Sequence, residues 1–187
     1  MAGRVKESNF PFVRNSVLRE NLDRVFNLIL ELITLVESGG HDPLTKSGLR
    51  KTIVIYTASI IEALLLFCLE EKKPQGGYVR TQKEFKISKR LYQTDAGEEI
   101  VVGHDVEQSV SIKLDKMNLD QATKLSFEHK IISKALAKRI NEVRDMRNRQ
   151  HLTGMDAVDK DYTERDLAFV FEVAKEVKKR ARDISWF

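Results

Sequence analysis

The chain has 187 residues, 42% hydrophobic and 32% charged, with a formal net charge of +4. That length holds one domain with a full-sized core, and that balance describes a soluble globular protein rather than a disordered one. The single cysteine, Cys68, excludes intrachain disulfides and multi-cysteine metal sites and suits a reducing cytoplasm, while the mild positive charge permits nucleic-acid binding without requiring it.

Residues 1–14 carry no periodicity and read as an N-terminal arm without the apolar core of a secretory signal. From Ser16 the apolar residues Leu18, Leu22, Val25, Phe26, Ile29, Leu30, Ile33 and Val36 recur at three and four, which predicts an amphipathic helix ending at Gly39-Gly40. After a His41-Asp42-Pro43 loop, a second helix is expected from about Leu44 to Lys73, stopping before Pro74. Its centre, Ile53 to Leu69, is nearly continuous in apolar residues but falls just short of the roughly 18–20 needed to cross a bilayer. Glu62 sits in its middle, where insertion would cost about 2.5–3.5 kcal/mol. We therefore expect a buried core helix with no membrane contact, also meeting a partner subunit. Glu62 then needs an arginine, either to satisfy its burial or to orient Arg144 or Arg147 at a site.

Residues 75–115 change period. Phe85, Ile87 and Leu91 fall at odd positions, and Val110 to Leu114 alternates strictly, with turn chemistry at Asp95-Ala96-Gly97 and at Gly103-His104-Asp105. A small β-hairpin inserted between helices is the expectation. His41, His104 and His129 each stand beside a carboxylate but belong to no ligand grouping, so no metal site is assigned. A glycine-rich phosphate loop and a nucleophile elbow are both missing from the sequence, and no cofactor is implied.

A third helix is expected over Asp120–Lys130, and Ser133 then caps a fourth that runs to about His151. On that helix Arg144, Arg147, Asn148 and His151 are spaced i, i+3, i+4, i+7 and share a face. The set is centred roughly 60–70° from the apolar stripe of Leu136, Ile140 and Val143. Two guanidiniums that can grip a phosphate, an amide and an imidazole that titrates near neutrality suit phosphodiester chemistry without a metal. The same residues also suit an ordinary charged helix end. Lys138, Arg139 and Arg149 add positive charge, either as a solvated face or as a track for RNA phosphates. Thr153-Gly154 breaks the helix, Asp156 to Asp161 forms an acidic loop, and Thr163 with Asp166 caps a last helix over 163–183. The tail ends at Trp186-Phe187, with the tryptophan placed to dock on the bundle.

Two strings carry a family resemblance. Arg144-Asp145-Met146-Arg147-Asn148-Arg149-Gln150-His151-Leu152 resembles the Arg-X4-6-His signature of HEPN domains, with six residues between Arg144 and His151. Thr57-Ala58-Ser59-Ile60-Ile61-Glu62-Ala63-Leu64-Leu65 is similar to a long core helix of the same group. The resemblance implies an all-α fold, a HEPN-like bundle of four to five helices forming one domain over 1–187, with the β-hairpin as an insertion. It implies a homodimer whose motif helices meet, and a metal-independent endoribonuclease in which the 2′-OH attacks its own phosphate. His151 would be general base or acid, Arg144 would stabilise the developing charge, and Arg147 with Asn148 would position the phosphate. Arg147-Asn148 is a second candidate for the leading pair, although only three residues separate Arg147 from His151. An antitoxin or defence-complex partner belongs to that setting, although Thr153 stands where one toxin branch carries a modifiable tyrosine. The alternative is a non-catalytic dimeric scaffold of the same fold.

Overall fold

The computed structural model describes residues 7–94, 97–149 and 160–185. These form five helices and two strands: α1 (Ser16–Glu37), α2 (Pro43–Glu71), β1 (Val79–Gln93), β2 (Glu99–Ser111), a single 3-10 turn (Leu114–Lys116), α3 (Leu119–Glu128), α4 (Lys134–Asn148) and α5 (Glu164–Ser185). The chain divides into two compact units, the helices (Met1–Lys72 with Leu114–Phe187) and the strands (Lys73–Lys113).

Each helix begins where a short polar side chain can accept from its first turn. Asn15 accepts from the Leu18 amide, Asp42 from those of Leu44 and Thr45, and Asn118 from that of Gln121, whose own side chain returns to the Asn118 amide. Pro43 opens α2 instead of belonging to the preceding loop, because its missing N–H falls where a helix leaves one unpaired anyway. At α5 the expected pair is present: the Thr163 amide donates to Asp166 at 2.8 Å. Gly39 and Gly40, both at φ +77°, end α1.

The core of the helical unit is α2. Ile53, Val54, Ala58, Ile61, Leu64, Leu65, Cys68 and Leu69 are wholly buried in it, and α1, α3, α4 and α5 all pack on it. By length and composition α2 would be able to cross a membrane, but 61% of its most apolar window is buried within the protein. That is the burial of a bundle's central helix. Burial pushes the Cys68 thiol up to about 12, which makes it an inert core residue. The N-terminal segment is more than an arm: Phe10 and Val13 are fully buried in the core, and the Asn9 amide donates to Asp23 of α1. Two isolated apolar residues without a period gave no sequence signal for this.

The strands correct the expected all-α class. β1 and β2 are 15 and 13 residues long and pair antiparallel from Val79–Ser111 to Gln93–Glu99. The fold is therefore mixed α/β, a helical bundle joined to a long two-stranded ribbon. The strands fall within the 75–115 stretch expected as a hairpin, and β1 is exposed along its whole length and β2 nearly so. Thr94 and Gly97 close the tip, where the Gly97 amide donates to the Thr94 carbonyl.

Gly103-His104-Asp105, expected as a turn, lies inside β2. Gly103 is there for space: a Cβ on it would sit 2.3 Å from the Lys86 carbonyl oxygen and 2.6 Å from the Phe85 ring. The aromatic ring covers the glycine across the strand pair. Gly103→Ala should thus lower the hydrogen-exchange protection of ribbon amides and leave those of α2 unchanged, whereas Ile61→Ala should cost the helical unit about 2–5 kcal/mol in denaturant unfolding.

Candidate functional site

Ser133 caps α4 by accepting from the Leu136 amide at 3.2 Å, and Leu136, Ile140 and Val143 bury its inner stripe. Arg147, one turn beyond Val143, continues that stripe inward. It does not share a single outer face with Arg144 and Asn148. Its Nη1 donates to Glu62 Oε2 of α2 at 2.8 Å, with about a quarter of each side chain exposed (22% and 27%). Glu62 thereby has the arginine its place in an apolar helix requires. Arg147 Nε is buried and has no hydrogen-bond partner among the described residues, so the guanidinium is held mainly from one side.

Arg144 points elsewhere. It donates to Asp120 at the start of α3 and, at 3.1 Å, to its neighbour Asp145. Asp120 also accepts from Lys124 one turn on, at 2.7 Å. The Lys124 hydrogen bond, followed by the charge of Arg144, holds the Asp120 carboxyl below its ordinary value of 3.8. Arg144 and Arg147 are thus fixed by carboxylates from two different helices. Asn148 is exposed at the last turn of α4, and Arg149 follows as its C-cap.

The end of α4 is anchored by residues that the sequence reading passed over. The Tyr162 hydroxyl donates to the Met146 carbonyl at 2.8 Å, its amide donates to Ser47 Oγ at 2.9 Å, and Lys51 Nζ donates to the Arg149 carbonyl at 2.9 Å. A lysine on the last carbonyls suits the negative end of a helix. Lys51 also stands 5.7 Å from the centroid of the buried Tyr162 ring. No pattern in the sequence links Lys51 and Tyr162 to α4, since they are 98 and 16 residues from their partners. The sole signal is that Tyr162 directly precedes the Thr163 cap.

Of the proposed RNA track, Lys138 and Arg149 are exposed. Arg139 faces α5, donating to Glu176 at 2.8 Å and Glu172 at 3.4 Å, with its guanidinium 5.7 Å from the Phe169 centroid. It clamps two helices. His151, Thr153, most of the acidic 156–161 loop and Trp186 lie outside the described residues. Among the described residues, no three of His, Cys, Asp and Glu gather as metal ligands.

Two outcomes follow from this geometry. Glu62→Ala should lower stability by about 1–2 kcal/mol, less than the ~3–5 of a fully buried pair because both partners keep some solvent. Glu62→Leu with Arg147→Met should cost less than Glu62→Ala, and denaturant titration of the double-mutant cycle reads the difference. Asp120 gives the pH dependence: a lowered folded value means its stabilisation is present above pH 3.8 and is lost as pH falls through the folded value. Asp120→Asn should flatten that acid limb in melts taken below pH 4. No family model, curated protein or solved structure matches the chain.

Proposed function

We propose that this protein is a metal-independent endoribonuclease of the HEPN type, acting at the C-terminal end of α4. The observation that carries this reading is the pair of pre-positioned arginines, Arg144 on Asp120 and Arg147 on Glu62, flanking the exposed Asn148 three residues before His151 in the sequence. Guanidiniums whose rotamers are already fixed lose little freedom when they meet a phosphate, which is how charge stabilisation becomes catalytic.

In the reaction, the 2′-oxygen of a ribose bonds to the adjacent phosphorus and the P–O bond to the next 5′-oxygen breaks. A general base takes the 2′-hydroxyl proton and a general acid returns one to the departing 5′-oxygen. The products are a 2′,3′-cyclic phosphate and a 5′-hydroxyl. His151 takes one of the two proton-transfer roles, worth typically 10²–10⁴-fold. A second copy of the chain, its α4 beside the first, supplies the other. Arg144 exchanges Asp120 for the phosphoryl oxygens, Arg147 and Asn148 orient the phosphate, and Lys138 and Arg149 lead RNA toward it. The buried, unreactive Cys68 fits a reducing cytoplasm, and a protein of this activity would be held in check by an antitoxin or a defence-complex partner.

A non-catalytic dimeric scaffold is the second reading. It is favoured by one observation: Arg139, Arg144 and Arg147 are all bonded to carboxylates. The readings separate on RNA cleavage in EDTA by the purified protein, His151→Ala and Arg144→Ala. We expect cyclic-phosphate ends from the wild type, loss of cutting in His151→Ala, and a drop of about 10²–10³-fold in Arg144→Ala. Equal cutting by all three would assign the activity to a contaminant, and no cutting by any would leave the scaffold.

A further inference from the structure

α1, α2 and α5 enclose a half-open trough of about 360 Å³ to which α4 contributes no wall. Phe10, Phe26, Ile33 and Ile60 make its sides, and Lys175 and Lys178 stand at its edge. A neighbouring cleft of about 280 Å³ shares those two lysines and adds Lys179, Arg182 and Phe12. An apolar trough therefore ends on a rim of four cations.

Lys178 is the unusual member. It is half-buried, and its ammonium lies 4.8 Å from the Phe10 ring centroid and 5.9 Å from that of Phe26. Burial lowers its affinity for a proton, and Asp23 offsets this only through space. The nearest preceding carboxylates on α5, Glu172 and Glu176, lie six and two residues before Lys178 and are taken by Arg139. Among the described residues no carboxylate is bonded to Lys178; the two aromatic faces offset part of its burial, and an anion at the open side would complete it.

We propose that this trough binds a linear aliphatic monocarboxylate, its chain laid against Phe26, Ile33 and Ile60 and its carboxylate on Lys178 and Lys175. The volume falls within the range of small-molecule sites, which are largely apolar with a few polar groups that fix orientation. A nucleic-acid strand would find almost no polar wall beyond the rim.

The test is calorimetric titration of the full-length protein with dodecanoate below its micellar concentration, alongside dodecanol and two variants, Lys178→Met and Ala174→Phe. Lys178→Met keeps the apolar stem and removes the charge, whereas Ala174→Phe fills the trough from its α5 side. The expected result is saturable one-to-one binding of dodecanoate, weakened about tenfold or more by Lys178→Met and abolished by Ala174→Phe, with dodecanol at least tenfold weaker. Absence of saturable binding to the wild type overturns the proposal, as does equal affinity for dodecanol, which needs no variant to fold. A trough that closes on a second copy would show instead as a dimer that Ala174→Phe dissociates and dodecanoate leaves intact, and that outcome also overturns it.

Discussion

A carboxylate in the middle of the most apolar helix is the constraint from which much of the helical unit follows. α2 is buried on most sides, and Glu62 sits at the border of its half-exposed stripe with about three quarters of its side chain covered. An ionised carboxylate in that position is tolerated only with a cation and well-directed hydrogen bonds. Arg147 meets the requirement by continuing the buried stripe of α4. That choice fixes how α4 is turned about its axis. With Arg147 facing α2, Arg144 at −3 must swing toward α3, where Asp120 receives it, and Asn148 at +1 must face outward.

The end of α4 is then a junction of three elements. Lys51 from α2 and Tyr162 from the segment before α5 bind its last carbonyls, while Arg144 ties it to α3. A helix terminus normally frays because its final carbonyls lack partners. Here two carbonyls at the helix end, those of Met146 and Arg149, are bonded to side chains from elsewhere in the chain, which ties down the backbone that carries the nearby polar residues. Precision of this kind is what a phosphate-handling site needs, since misplacement by about 1 Å can cost 10²-fold in rate. A scaffold surface does not demand it, although a scaffold would not be harmed by it.

Much of the helical unit was legible because its signals are local. The N-caps at Ser133 and Thr163–Asp166, the glycine stop after α1, and the three-and-four spacing of Leu18, Leu22, Val25 and Ile29 each act within one or two turns. The demand of Glu62 for an arginine was legible too, because burial of charge is a general cost. Which arginine answers it was not, since i, i+3, i+4, i+7 spacing groups Arg144 with Arg147 while the two are in fact 60° apart on the helix and reach different neighbours. The ribbon was legible as a change of period over 75–115, but its strand limits were not, because a hairpin exposed on both faces has no buried side to fix them. Gly103 shows the limit of composition, because a glycine that makes room for an aromatic ring looks the same in a sequence as one that makes a turn.

The two candidate sites sit on opposite sides of α2, and its geometry explains why they can coexist. Ile60 and Thr57 line the trough, while Glu62, two residues beyond Ile60 and so about 200° round the helix, faces α4. Apart from a half-exposed stripe through Tyr56, Ser59, Glu62 and Ala63, each side of α2 is committed to a different neighbour. On the α1–α5 side the requirement is volume, which leaves a space of about 360 Å³ between bulky aromatic residues and the lysine stems of α5. On the α4 side the requirement is charge, which draws a fixed guanidinium to the surface of the core. A ligand in the trough would press α1 and α5 onto α2 without touching Arg144, Arg147 or Asn148. Communication between the two places would therefore have to pass through α2 itself, whose close-packed interior resists small displacements.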